Sequence, residues 1–217
     1  MSFTALFDFL ERLQKNNHKS WMDVHRKEYH AIRDFFIAWL DDMNETFASL
    51  DDDYFDTPGK KAINRINNNL LYHPNKPVYK DHFGAGFDQR SKQGDFYIEF
   101  GILESFMGGG YWHPSSQELK SIREAIDYDG EEFRKILNKP SFKKTFGVLM
   151  DDAPLKMAPK GFSLDHRHID LLKHRSFVVM HAVTRKEIED SNFKERVIHV
   201  YQEILPFRRY LNQAITV

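Results

Sequence analysis

The sequence has no cysteine, no long apolar run and almost no net charge, and each of these absences narrows the possible functions. Without cysteine, disulfides, thiol nucleophiles and cysteine-ligated metals are excluded, and a reducing cytosol is the expected location. The apolar runs are short, such as Phe177–Met180, so we expect no membrane span and no membrane partner. The start of the chain lacks the pattern of a secretory signal, which also predicts a cytoplasmic protein.

Aromatic residues, in contrast, are abundant. They make up 14% of the 217 residues, with 19 phenylalanines, and hydrophobic residues reach 41%, which is enough to form a folded core. Helical patterns cluster at the two ends of the chain and strand patterns lie in the middle. This order predicts an α+β fold, with helical N- and C-terminal segments packed on a central, mainly antiparallel sheet, in a single domain over residues 1–217.

The expected elements follow from hydrophobic periodicity and from capping and turn residues. One helix is predicted from Ser2 or Thr4 to Asn16, and a long one from Ser20 to the acidic residues 51–53. The central strands are expected over residues 61–66, 78–83, 96–103 and 176–183, with a turn at 91–95 and helices at 115–126 and 131–137. A capping box at Thr184–Glu187 precedes a final helix from Phe193 to Leu211, with a kink expected at Pro206.

The net charge of −1 hides two basic segments. Residues 59–92 hold seven Lys and Arg against two Asp and Glu, and residues 156–186 hold the same numbers. A local patch of one sign concentrates its field on a ligand even when the total charge is near zero. We therefore expect a working surface that joins the regions Arg65–Lys80 and Lys160–Arg175 beside a glycine-rich loop.

The first basic segment contains many hydrogen-bond donors within sixteen residues. Arginine offers a planar fork and lysine a movable point charge, and together they suit a phosphate or carboxylate. The candidate ligand-binding residues here are Arg65, Asn67, Lys76, Tyr79 and Lys80. The alternative is an exposed hairpin whose charges only keep the protein in solution.

Gly108-Gly109-Gly110-Tyr111-Trp112-His113-Pro114 forms the glycine-rich loop of this hypothesis. Glycine lets the main chain approach a ligand closely, so Gly109, Gly110 and Trp112 are candidate contacts. The spacing matches neither a P-loop nor a dinucleotide fingerprint. A flexible turn with a packed tryptophan is the other interpretation. From the second basic segment, Lys160, His166 and Lys173 complete the candidate ligand-binding set.

Other chemistries have little support in the sequence. His166 and His168 lie two residues apart without a further pair of ligands, so neither a metal nor a cofactor is expected. No Gly-x-Ser-x-Gly motif marks a hydrolase. Glu99 and Glu104 lie five residues apart, which places them on opposite faces of a strand and leaves a glycosidase-type carboxylate pair unsupported.

Several motifs in order resemble a bacterial family catalogued as domain of unknown function 2461. They are Asn16-Asn17 before Ser20-Trp21, Arg65-Ile66-Asn67, Lys76-Pro77-Val78-Tyr79-Lys80, Gly109-Gly110-x-Trp112-x-Pro114, Leu119 with Ile122-Arg123, Pro159-Lys160-Gly161-Phe162, Asp165-His166, and Leu171-Leu172 before Ser176-Phe177. The resemblance covers nearly the whole chain. It implies a single cytoplasmic α+β domain and brings no established activity with it.

The central block departs from the family pattern. The family has Asp at two positions where this chain has Asn69 and Asn75, and two Arg and one Lys of the pattern are missing. An Asp that acts as a general base or metal ligand loses that capacity when Asn replaces it. The retained Arg65, Lys76, Tyr79 and Lys80 therefore favour anion binding over acid–base catalysis in this block.

Three functions stay open at this point. The favoured one is binding of a small anionic ligand, and if the protein is an enzyme, Tyr79, His113 and His166 are the proton-transfer candidates. The second is a protein-interaction module without a small ligand. Nucleic-acid binding by basic strands with stacking aromatics is the least favoured, because the sequence pI is only about 6.8. Whether the protein is an enzyme, and its oligomeric state, are left open by the sequence.

Overall fold

The computed structural model describes residues 1–90 and 94–216 and confirms the α+β class. The described residues form eight helices and four strands, and the strands make an antiparallel sheet in the order β1-β2-β3-β4. The elements are α1 (Phe3–Lys15), α2 (Lys19–Leu50), α3 (Gly59–Ala62), β1 (His82–Phe87), β2 (Phe96–Gly101), β3 (Ser105–Tyr111), α4 (Ser116–Asn138), α5 (Pro140–Phe146), α6 (Ile169–Leu172), β4 (Phe177–Ala182), α7 (Arg185–Ile188) and α8 (Phe193–Thr216). In this part of the chain, no helix is long and apolar enough to cross a membrane.

The chain folds into two compact units. The first unit contains residues 1–89, 97–107 and 182–198, and the second contains 90–96, 108–181 and 199–217. The single domain expected over residues 1–217 therefore stays a prediction, and each unit is described separately below.

Helices α1 and α2 carry the core of the first unit. The Ser2 hydroxyl accepts from the Ala5 amide at the start of α1, and the His18 ring caps α2 in the same way at the Trp21 amide. Their apolar faces meet in a cluster of aromatic rings with centroids 5.3–6.0 Å apart, mostly in edge-to-face geometry. The rings belong to Phe3, Phe35, Phe36, Trp39, Phe100 and Phe193. The aromatic residues of α2 in this cluster therefore pack in the core of the first unit, as one face of an amphipathic helix does.

A paired ribbon extends the sheet beyond β1 in the first unit. Residues 63–68 run antiparallel to residues 78–85, with bridges between Ile63 and Ala85 and between Asn67 and Tyr79. The side chain of Asn17 fixes this ribbon, because its amide nitrogen donates to the Tyr79 carbonyl (2.9 Å) and its oxygen accepts from the Tyr79 amide (2.8 Å). Asn17 thereby offers Tyr79 the same donor and acceptor as a neighbouring strand would.

The second unit packs α4, α5 and the C-terminal part of α8 around phenylalanine rings. A capping box between Ser115 and Glu118 starts α4. The Phe133 ring stacks on Phe207 (5.8 Å), and the Phe142 ring also lies 5.8 Å from Phe207. Asp129 interrupts the helical geometry of α4 with φ −138° and ψ 49°. The described part of this unit therefore has its own apolar core.

Several element boundaries differ from the expectation. Residues 59–62 form the short helix α3. Strand β1 begins at His82 rather than at Val78, because residues 78–80 pair with residues 66–68 of the ribbon. The three glycines expected in a loop lie inside β3. The helix expected at 131–137 is the second part of α4, and Pro206 lies within α8. Of the turn expected at 91–95, residues 91–93 lie outside the described residues.

We expect Asn17→Ala to destabilise the protein by roughly 1–3 kcal/mol, because the Tyr79 amide and carbonyl would lose both partners while Tyr79 stays buried. The neighbouring Asn16→Ala is the matched control. Its side chain makes one exposed bond to the Arg12 carbonyl, so its loss should cost less than about 0.5 kcal/mol. Urea unfolding of both variants measures the difference, and equal losses would contradict the clamp.

Candidate functional site

A bulge in the ribbon places Arg65 at the edge of the sheet. The Asn64 amide donates to the Gly84 carbonyl (2.8 Å), and the Lys80 amide donates to the Ile66 carbonyl (2.8 Å). Between these two pairings one residue, Arg65, stands opposite the three residues 81–83. Bulges of this kind change the direction of side chains and are common beside active sites. Here the bulge brings the cations Arg65 and Lys80 near His82, the first residue of β1.

Polar side chains gather on one face of β1 and β2. Side chains alternate along a strand, so Phe83 and Phe100 face α2, while His82, Tyr97 and Glu99 lie on the opposite face. His82 Nε2 lies 3.4 Å from Glu99 Oε2, and the Tyr97 hydroxyl donates to the same oxygen (3.0 Å). We call Arg65, Lys80, His82, Tyr97 and Glu99 the polar face.

A glycine leaves the middle of this face without a side chain. A Cβ atom on Gly84 would lie 2.3 Å from the Tyr97 hydroxyl oxygen and 3.3 Å from the Asn64 amide nitrogen. The Asn64 amide itself donates to the Tyr97 hydroxyl (3.4 Å). The absence of a side chain at Gly84 therefore leaves Tyr97 the room to reach across β1 towards the ribbon.

The ammonium group of Lys80 lies in an unfavourable environment for a cation. Partial burial lowers the pKa of Lys80, and the nearby positive charges of Arg65 and Lys76 lower it further, against the opposing effect of Glu99. Within residues 1–90 and 94–216, neither Lys80 nor Arg65 has a salt-bridge partner. Other arginines of the first unit are paired, such as Arg12 with Glu28 and Arg185 with Asp8.

The carboxyl group of Glu99 is also perturbed. Burial raises the pKa of Glu99, with its side chain only 14% exposed, and Glu104 raises it further, while His82, the Tyr97 hydroxyl and Lys80 lower it. The burial effect wins, so the fold favours the neutral carboxyl. Ionisable groups whose pKa is shifted by burial and by neighbouring charges are often found at functional sites.

The structure brings some of the predicted residues of the first unit together. Arg65, Lys76 and Lys80 are close enough to influence one another electrostatically. Asn67 and Lys76 are exposed, whereas the Tyr79 side chain is buried and its backbone is bound by Asn17. Their roles as ligand contacts stay predictions.

Three residues of the polar face are absent from the predicted set: His82, Tyr97 and Glu99. The sequence offers Glu104 as a carboxylate near Glu99, whereas in the structure Glu99 contacts His82 on the neighbouring strand. The alternation of Phe83 with His82 and of Phe100 with Glu99 indicates that each strand has a polar face. Only the pairing of β1 with β2 shows that these two polar faces are the same one.

The glycines of β3 in the second unit are packed against the chain itself. A Cβ atom on Gly109 would lie 2.4 Å from the Asp95 carbonyl oxygen, and one on Gly110 would lie 2.1 Å from the Phe177 carbonyl oxygen. The close approach that glycine permits here is to neighbouring backbone. A ligand contact at Gly109 or Gly110 stays a prediction beside this packing role.

The other predicted residues of the second unit differ in exposure and in the groups they contact. Trp112 is 45% exposed and makes an edge contact with His113, and Lys160 is exposed. His166 is half-buried, with Nε2 2.8 Å from Asp127 Oδ1, and Lys173 ends α6. Because the expected surface joins residues of both units, it stays a prediction as a whole.

A buried histidine lies next to His166. His168 Nδ1 accepts from Arg134 Nε (3.0 Å), and burial, followed by the charge of Arg134, lowers the pKa of His168. In the described part of the chain, no group of three His, Asp or Glu side chains is arranged to hold a metal ion. His168 has a direct packing role here, because a Cβ atom on Gly130 would lie 2.5 Å from its ring.

We expect Glu99→Gln to stabilise the protein at neutral pH. A carboxyl whose pKa is raised on folding stabilises the fold below its unfolded value and loses that contribution as the pH rises through its folded value. The stability of the variant relative to wild type should therefore increase from acid to neutral pH. Urea unfolding at several pH values tests this, and a variant that is less stable at neutral pH would disprove the cost of burial.

We expect Gly110→Ala to cost at least about 3 kcal/mol, because the new methyl group would overlap the Phe177 carbonyl. Gly161→Ala is the matched control in the same unit. Both glycines have positive φ (118° and 94°), but nothing lies within 4 Å of a Cβ atom at Gly161, so only backbone strain of about 1–2 kcal/mol is expected there. Thermal unfolding compares the two, and similar losses would show that the overlap is relieved without cost.

Comparison with known proteins gives a family and no activity. No curated protein and no solved structure matches the chain. The model of one family, described as conserved hypothetical protein (DUF2461), matches residues 5–210. This match spans both units and nearly all of the motifs noted in the sequence. The chain therefore belongs to the DUF2461 family of conserved hypothetical proteins.

Proposed function

We propose that the first unit binds a small ligand bearing a phosphate or carboxylate group at the polar face. The observation that carries the proposal is that Arg65 and Lys80 lie together at the bulge without a salt-bridge partner among the described residues. A fork-shaped guanidinium beside an ammonium group matches the charge and the hydrogen-bond geometry of such an anion.

The electrostatics of Lys80 support this proposal. A cation that is half-buried near two other cations is stabilised when an anion binds beside it, since the anion offsets both the burial cost and the repulsion. From residue 57 to residue 80 the sequence has five Lys and Arg and no Asp or Glu. Residues 57–80 therefore bring cations to the site without a carboxylate of their own, and the next residue, Asp81, contacts His82.

The protein-interaction alternative has one specific observation in its favour. Leu71 and Tyr72, in the loop that joins the two sides of the ribbon, are 83% and 74% exposed. Exposed apolar residues next to one another are typical of contact surfaces. A molar mass that rises with concentration in light scattering, without any response to anions, would favour this second function over the first.

We expect inorganic phosphate, pyrophosphate or citrate to raise the melting temperature of the wild-type protein by several degrees at constant ionic strength. A ligand that binds only the native state at a hundred times its Kd adds about 2.7 kcal/mol. The response should be largely lost in Lys80→Ala and Arg65→Ala, because each removes one of the unpaired cations. Differential scanning fluorimetry measures it.

Lys61→Ala is the control, since Lys61 is an exposed lysine of α3 in the same unit and outside the polar face. It should retain the full response. No response of the wild type to any of the three anions, or an equal response in wild type and Lys80→Ala, would reject anion binding at this site.

A further inference from the structure

The ring of His82 lies between two carboxylates. Its Nδ1 is 3.3 Å from Asp81 Oδ1, and its Nε2 is 3.4 Å from Glu99 Oε2. A neutral imidazole carries one N–H group, whereas an imidazolium carries two. With both carboxylates ionised, only the imidazolium can donate to both. With a neutral ring, one of the two contacts can be a hydrogen bond only if the carboxyl group carries the proton and donates it.

Glu99 is the partner better suited to hold that proton. Its Oε2 accepts from the Tyr97 hydroxyl as well, and its side chain is half as exposed as that of Asp81, at 14% against 28%. Burial favours the neutral carboxyl, which is the direction in which the pKa of Glu99 is moved. His82 Nε2 and Glu99 Oε2, 3.4 Å apart, are therefore two sites that one proton can occupy.

We propose that His82 and Glu99 share one proton and form an acid–base pair, so that an anion bound at Arg65 and Lys80 is bound together with a proton. This inference rests on the proposed function and extends it from binding to proton transfer. The proton moves between His82 Nε2 and Glu99 Oε2, and from Glu99 to an oxygen of the ligand or back. No other bond is made or broken in this step, and no other reactant is needed.

The charges around the pair set the direction of the effect. Asp81 contacts His82, Glu104 lies in the turn between β2 and β3, and Lys80 is near enough to Glu99 to favour its ionised form. The positive charges of Arg65 and Lys76 act on Lys80. An anion beside Lys80 adds negative charge near Glu99 and cancels positive charge that favours its ionised form. Anion binding must therefore increase the affinity of the pair for its proton.

This pair bears on the class of ligand. A proton held on Glu99 strengthens anion binding, because it removes a negative charge from the site, and the same proton can be given to an oxygen of the ligand. A site that acts on a phosphate monoester or a carboxylic acid needs a group that gives a proton to an oxygen of the substrate or takes one from it. The inference therefore favours an anionic substrate whose reaction includes a proton transfer.

The test is a pH titration of the Glu99 carboxyl carbon by NMR in protein labelled with ¹³C at glutamate side chains. Spectra are recorded for wild type and His82→Gln, each with and without inorganic phosphate, and Glu99→Gln assigns the signal. In the free protein, the Glu99 midpoint should move to higher pH in His82→Gln, because the imidazolium that favours the ionised carboxylate is gone. In the wild type, phosphate should also move the midpoint to higher pH.

The exposed Glu195 on α8 gives an internal control in the same spectra, and its signal should respond to neither change. A Glu99 midpoint that is unchanged in His82→Gln, with the fold intact by circular dichroism, would overturn the shared proton. If phosphate raises the melting temperature of the wild type but not of Lys80→Ala, and yet leaves the Glu99 midpoint in place, the coupling fails while anion binding stands. If phosphate does not raise the melting temperature of the wild type, anion binding and its coupling to the proton both fail.

Discussion

The alternation of side chains along β1 and β2 is the constraint on which the rest of the first unit depends. Phe83 and Phe100 must face α2, because the aromatic core closes around them. Their neighbours His82 and Glu99 are then forced to the opposite face, and the pairing of the strands brings the two side chains to 3.4 Å. A slip of one residue would place Glu99 in the aromatic core, so the packing that stabilises the fold also fixes the polar face.

Partial burial shifts the pKa of a cation and of a carboxyl group in the polar face. It lowers the pKa of Lys80 and raises the pKa of Glu99, so each group is moved towards its neutral form. A protein selected only for stability would replace such groups or pair them more closely. Here neither happens. Glu99 accepts a hydrogen bond from Tyr97, and Lys80 forms no salt bridge with any carboxylate of the described residues. This arrangement favours a role for the charges beyond the fold itself.

The sequence predicted the α+β class, both N-terminal helices and the capping box at Thr184, because these depend on local periodicity and local hydrogen bonds. It missed β3, since three glycines in a row read as a loop unless the backbone packed against them is known. It predicted the end of the first helix at Asn16 but not that the next side chain, Asn17, binds Tyr79 sixty-two positions away. It predicted two of the five residues of the polar face: the cations Arg65 and Lys80 lie close in sequence, whereas His82 and Glu99 meet only through strand pairing.

The separation of charge within the polar face bears on what it can recognise. Arg65 and Lys80 lie on the ribbon and Glu99 lies on β2, while Asp81 lies in the bulge opposite Arg65 and contacts His82. Had Lys80 and Glu99 formed a close ion pair, each would have satisfied the other and an anion would have found no free charge. Because Lys80 and Glu99 form no salt bridge among the described residues, the proposed site leaves the anionic group of a ligand free to lie against Arg65 and Lys80 while a neighbouring atom reaches Glu99. A ligand that fits both sides must carry its negative charge within a few bonds of an atom that exchanges a proton.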